Sequence, residues 1–163
     1  MASYFFDSSA LVKRYHAESG TGIVDDIVNA TGSMVRISRV TIPEVISAFA
    51  IKVRTLAIRQ VEARAFLRQF RSDIASGRLE VFSIAESEFA QAESLLERYA
   101  FGWRLRAFDA IQLAVALELH KQNLVDYFVA ADGILCEVAG MEGFEVINPA
   151  QSHPGHTPLV RSV

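Results

Sequence analysis

The 163-residue chain predicts an α/β domain, with a mostly parallel central sheet and helices on both faces. Two observations carry that expectation. Short apolar runs rich in β-formers alternate, from one end of the chain to the other, with longer runs whose apolar residues recur at helical spacing. The composition, 51% hydrophobic and 21% charged, is that of a folded soluble protein, and the length suits a single core.

Taken in order, residues 3–6 form the first strand, an apolar run ending at Asp7. Ser8, Ser9, Ala10, Leu11 and Val12 start a helix that breaks near Gly20 and Gly22. Residues 21–29 make a second helix, with Ile23 and Ile27, and Val24 and Val28, four apart. Thr31, Gly32 and Ser33 form a turn, and residues 34–38 a short strand. Helices follow over 41–56 and 58–75, the second with Val61, Ala65, Phe66 and Phe70 on its apolar face and Gly77 to stop it. Residues 79–82 are a strand, 86–99 a helix, 101–103 a loop and 107–122 a long apolar helix. Residues 127–131 are a strand, 134–139 a short helix ended by Gly140, and 144–147 the last strand. Asn148 and Pro149 close the domain, so the folded unit spans residues 1–149. Residues 150–163, with Pro154, Gly155 and Pro158, read as a flexible tail.

Several classes of function are excluded by composition. No apolar run approaches the ~20 residues of a membrane span. The N-terminal stretch has neither the basic start nor the long apolar core of a secretory signal. A lone Cys136 forms no internal disulfide, which fits a cytoplasmic protein. The net charge of −3 gives no global attraction to nucleic acid, but it is unevenly placed. Nine basic and three acidic residues lie from Arg36 to Arg78, against four basic and eleven acidic from Val81 to Glu145. Such an asymmetry supplies a phosphate-attracting face. It also arises if Arg54, Arg59, Arg64, Arg68 and Arg71 are simply the solvated side of amphipathic helices, the simpler explanation.

Four acids stand where a strand-like run gives way to a helix or near a helix start: Asp7, Glu44, Asp109 and Asp132. In an open parallel sheet the carboxyl ends of the strands share one crevice, where ligands bind. Each acid has a structural explanation. Asp7 and Asp132 suit N-caps, Thr41 and Glu44 fit a capping box, and Asp109 suits the first turn of its helix. The set is harder to explain that way, because caps do not require charge. Asp109 opens a helix in which Phe108, Ala110, Ile111, Leu113, Ala114, Val115, Ala116 and Leu117 are apolar, with no Lys or Arg between Ala107 and His120 to pair with it. Carboxylates gathered at one edge repel unless a cation or protons neutralise them. The set therefore points to a divalent-metal site and to phosphodiester chemistry.

Rival chemistries are poorly represented. His16, His120, His153 and His156 lack the spacing of a zinc site, and no phosphate-cradling glycine loop or Gly-x-Ser-x-Gly elbow occurs. Trp103, beside Arg104 and Arg106, is either a base-stacking aromatic or, more simply, a loop residue packed on the domain. A phosphatase with an aspartyl nucleophile would carry a second acid at position 9, where this chain has Ser9.

The stretch from Phe6 to Tyr15, Glu44 early in a helix, the stretch from Phe108 to Ala114, Ala131 with Asp132, and the closing run from Gly143 to Pro149 together resemble the PIN domain. More narrowly they are similar to the VapC toxins of toxin–antitoxin pairs. The resemblance implies a Rossmann-like α/β/α sandwich and a Mg²⁺ or Mn²⁺ site built from Asp7, Glu44, Asp109 and Asp132. It implies Ser8 or Ser9 as a supporting hydroxyl, RNA as substrate, endoribonuclease activity, and restraint by a cognate VapB-like antitoxin. A homodimer or a toxin–antitoxin hetero-oligomer is expected, with apolar helix faces around Phe49, Val53 and Phe66 to dock the partner. Relatives often carry Thr or Ser shortly before the last acid, where this chain has Ala130 and Ala131. A non-catalytic PIN-like module that binds RNA or protein is the alternative.

Overall fold

The structure, a computed structural model, describes residues 1–151. The stretch expected to be a tail, with His153 and His156, lies outside the described residues from residue 152 onward. The elements run β1 (Ser3–Phe6), α1 (Ser8–Leu11) with a 3₁₀ turn (Val12–Arg14), α2 (Thr21–Asn29), β2 (Met34–Ser38), α3 (Thr41–Arg54), α4 (Gln60–Ala75) and β3 (Leu79–Phe82). They continue with α5 (Glu86–Tyr99), α6 (Ala107–Lys121), β4 (Tyr127–Val129), α7 (Gly133–Met141) and β5 (Glu145–Ile147).

All five strands are parallel, in the order β3-β2-β1-β4-β5. β1 is central, with Tyr4 opposite Val35 on one side and Tyr127 on the other. Side chains alternate between the faces of a strand, so β1 feeds two cores. Phe5 stacks on Phe128 at 5.7 Å and joins Leu95, Leu113, Leu117 and Leu135 from α5, α6 and α7. Tyr4 and Phe6 face the opposite way and pack with Leu11, Val24, Val45, Phe49 and Phe70 from α1 to α4. The result is an α/β/α sandwich.

A buried ion cluster ties the second helical layer together. Arg14 Nε donates to Asp73 Oδ2 at 2.8 Å and Arg14 Nη1 to Asp25 at 3.0 Å, while the Tyr15 hydroxyl reaches the same Asp73 oxygen at 3.0 Å. These bonds join the 3₁₀ turn to α2 and α4.

Several expectations shift in detail. α3 ends at Arg54 and not at 56, because Leu56 takes a left-handed φ of 60° and turns the chain toward α4. Phe49, Val53 and Phe66, expected to dock a partner, belong instead to the core or pack against it. The large apolar residues that this hairpin exposes are Ile46, Ile51, Leu56 and Val61. Arg54, Arg59, Arg64, Arg68 and Arg71 are solvent-exposed along α3 and α4, as their simpler explanation has it. Arg36 leaves the basic set altogether. It is buried, with Nε on Glu80 at 3.0 Å and Nη1 donating to the Leu124 carbonyl. Among the described residues, no helix is long and apolar enough to cross a membrane.

A carboxylate cluster at the sheet's switch point

The chain runs from β1 outward through β2 and β3, then returns to pair β4 on the other side of β1. That reversal leaves a crevice beyond the carboxyl ends of β1 and β4, where open α/β sheets place their ligands. Asp7 follows β1 directly, its N–H bonded to the Val129 carbonyl at 2.9 Å. Asp132 lies three residues beyond β4 and caps α7, its Oδ1 accepting from the Leu135 N–H at 3.0 Å. Glu44 and Asp109 project from the first turns of α3 and α6.

The four acids are linked, in two pairs. Gln112, one turn beyond Asp109 on α6, donates its amide nitrogen to Asp7 Oδ1 at 2.6 Å and also to Glu44 Oε2. Arg106, the N-cap residue of α6, donates Nε to Asp109 Oδ2 at 3.2 Å and Nη2 to Asp132 Oδ2 at 3.4 Å. Ser9 joins the ends of the two central strands. Its hydroxyl donates to Asp7 Oδ2 and accepts the N–H groups of Ala131 at 2.9 Å and Asp132 at 3.3 Å. A hydroxyl contact near Asp132 is thus supplied from α1, although Ala130 and Ala131 carry none.

Capping and clustering coexist, because a carboxylate has two oxygens. Asp7 caps α1 through Oδ2, which accepts the Ser9 N–H at 2.9 Å, and meets Gln112 with Oδ1. The capping box expected of Thr41 and Glu44 does not form. Val40 already has helical backbone angles, so Thr41 sits inside the helix, and its hydroxyl donates to Gln112 Oε1 at 2.7 Å. Glu44 is left to face the other acids. Asp109 does have an ion partner, Arg106, which precedes Ala107 and so lies one residue before the stretch that lacks Lys and Arg.

The electrostatics record the crowding. Asp7, 2% exposed, has its pKa raised to about 6, chiefly by burial and further by the Asp109 charge, against the pull of the Ser9 hydrogen bonds. Glu44 is raised to about 7 by burial and by the charges of Asp7 and Asp109, while the Ser8 hydroxyl and Arg106 act the other way. Uncompensated negative charge on hard oxygen donors is what a divalent cation relieves. Among the described residues, no three acids, histidines or cysteines close on one point as a ready-made cage. Mg²⁺ does not need one, since it retains waters and takes one or two carboxylates directly. The donor set fits such an ion in its chemistry.

Gln112, Arg106 and Thr41 were not among the residues expected at the site. The signal for Gln112 was available: it is a polar residue three positions after Asp109 within an otherwise apolar stretch, and therefore on the same helical face. Other candidates take structural roles. Trp103 packs edge-on against Tyr99 and donates Nε1 to Glu137 at 3.2 Å. The Cys136 thiol is pushed up to about 12, mainly by burial, and is inert at neutral pH.

Comparisons with known proteins agree with this fold. A family model described as the PIN domain matches residues 4–140. VapC20 of Mycobacterium tuberculosis, a sarcin-ricin loop cleaving toxin, is 20% identical, with a TM-score of 0.60 over 86% of this chain and 95% of that one. A toxin–antitoxin complex from Klebsiella pneumoniae is 18% identical, with a TM-score of 0.58 over 90% of this chain and 97% of that one. FitAcB from Neisseria gonorrhoeae is 18% identical, with a TM-score of 0.57 over the same shares of each chain. At such identities the likeness is one of fold. No curated protein sequence matches significantly.

Proposed function

The chain belongs to the PIN domain family, and from that premise we propose that it is a divalent-metal-dependent endoribonuclease, the toxin of a toxin–antitoxin pair. The observation that carries this reading is the gathering of Asp7, Glu44 and Asp109 at the switch point, close enough that the Asp109 charge helps raise the pKa of Asp7 and both charges help raise that of Glu44. Asp7 and Asp109 are the residues that would hold Mg²⁺ or Mn²⁺ directly, with Glu44 and Asp132 completing the shell directly or through water. Bound there, such an ion would supply a lowered pKa for an attacking water and would offset charge at phosphorus.

The chain's own residues do the rest. Ser9 and Gln112 hold Asp7 from two sides, so that its orientation is fixed before an ion or substrate arrives. Arg39, exposed just beyond β2, and Arg106 at the start of α6 stand at the same sheet edge and are suited to RNA phosphates. Of the basic segment from Arg36 to Arg78, Arg39 is the residue that stands at this edge. Phosphate contacts from the two arginines make RNA affinity fall with rising salt.

A VapB-like antitoxin is the partner this reading requires, and cytoplasmic RNA the substrate. Ile51, Leu56 and Val61 on the α3–α4 hairpin offer an apolar face to such a partner or to a second copy of the chain. The test is RNA cleavage by purified protein with added Mg²⁺ or Mn²⁺, read by sequencing the RNA ends. Wild type is expected to cut, and Asp7→Asn to lose roughly 10²-fold or more of the rate. Undiminished RNA binding with no cleavage of any cellular RNA by wild type would favour the non-catalytic alternative.

A further inference from the structure

We propose that Gln112 is a positioning residue of the carboxylate site: its amide fixes the spacing and orientation of Asp7 and Glu44, and so sets how tightly the site holds a divalent cation. The inference rests on the metal-dependent reading above and deepens it.

Gln112 is fully buried within a helix whose neighbouring positions, Ala110, Leu113, Ala114, Val115, Ala116 and Leu117, form a hydrophobic core. An aliphatic side chain of similar volume would serve that core, whereas a buried amide is costly unless its donors and acceptor are used. Here they are all used. Thr41, itself fully buried, donates its hydroxyl to Oε1 at 2.7 Å, and Ser38 Oγ lies 3.3 Å behind that hydroxyl. This contact fixes which end of the amide faces the site. The NH₂ group is thereby turned toward two carboxylates from different elements, Asp7 beyond β1 and Glu44 on α3. One amide thus locks three segments at the point where two like charges meet.

The bridge need not break for an ion to bind. A carboxylate offers about four lone-pair positions, and Gln112 takes one from each acid. Donors that orient ligating carboxylates typically contribute 10- to 100-fold to metal affinity. The geometry places Gln112 in that role.

Mn²⁺ titration of the full chain, followed by the loss of the free-ion electron paramagnetic resonance signal, tests this without any measure of catalysis. Gln112→Leu keeps the volume and removes the amide. Its Kd for Mn²⁺ is expected to rise about 10- to 100-fold relative to wild type, in protein shown to be folded by circular dichroism. Thr41→Val removes only the hydroxyl that orients the amide, and its Kd is expected to move the same way by a smaller factor. If Gln112→Leu does not fold, Thr41→Val decides alone. A Kd that is unchanged or tighter in the deciding variant overturns the proposal and leaves the metal-dependent reading standing. Wild type that binds no Mn²⁺ overturns both.

Discussion

Asp7 caps α1 with one oxygen, takes the Gln112 amide on the other, and is 2% exposed to solvent. Its charged form and that of Glu44 are disfavoured in the folded protein, where their pKa values rise to about 6 and about 7. In the unfolded chain both lie near the ordinary carboxylate value of about 4. Between those values the native state holds protons that the unfolded state has lost, so metal-free stability declines as pH rises from about 4 to about 7 and levels off above. For Asp7 alone the effect is on the order of 2–3 kcal/mol. Urea unfolding in a chelator at pH 5 and pH 8 should show the protein less stable at pH 8. Asp7→Asn should flatten that difference while leaving the fold intact. The residues that sequence reasoning missed are instructive at this scale. Asp7, Glu44, Asp109 and Asp132 are legible because charge at a strand–helix junction is conspicuous. Gln112 is not, because an amide acquires its meaning from what faces it, and Thr41 reads as a cap until Val40 proves to be helical already.

Among the elements, the bonds that hold α4 in place are more informative than its apolar stripe. Asp73 is buried on α4 and is reached by Arg14, by Tyr15 and, at 3.4 Å, by Arg78. Arg14 has only 5% of its side-chain surface exposed. Replacing Asp73 by Ala leaves a buried guanidinium and a buried phenol without their shared acceptor, a loss of about 3–5 kcal/mol. Urea denaturation should read that loss. An Asp73→Ala protein within 1 kcal/mol of wild type would show the cluster to be peripheral to stability. Strand and helix identities were largely legible from periodicity, and β1, β2 and β3 fall where their apolar runs predict. Boundaries set by tertiary bonding were not. β4 stops at Val129, two residues early, because the chain beyond it turns to present the Ala131 and Asp132 N–H groups to Ser9. The end of α3 depends on a left-handed Leu56, which no local pattern announces.

At the scale of the whole molecule, two apolar cores on either face of a five-strand sheet support a polar edge that is electrostatically unfavourable by itself. A cation that binds only the folded state stabilises it by mass action, by about 2.7 kcal/mol at a hundredfold excess over Kd. Added Mn²⁺ should therefore raise Tm, more at pH 8 than at pH 5, because protons no longer compete for Asp7 and Glu44 at the higher pH. Protein with Asp7→Asn should lose most of that response. The proposed function requires that acids far apart in sequence meet as one cation-holding pocket. Crystals soaked in Mn²⁺ and measured for anomalous scattering test it most directly. A peak is expected within bonding distance of Asp7 and Asp109, beyond the carboxyl ends of β1 and β4. Well-diffracting crystals with no peak at those carboxylates, or with Mn²⁺ bound only elsewhere on the chain, would contradict it.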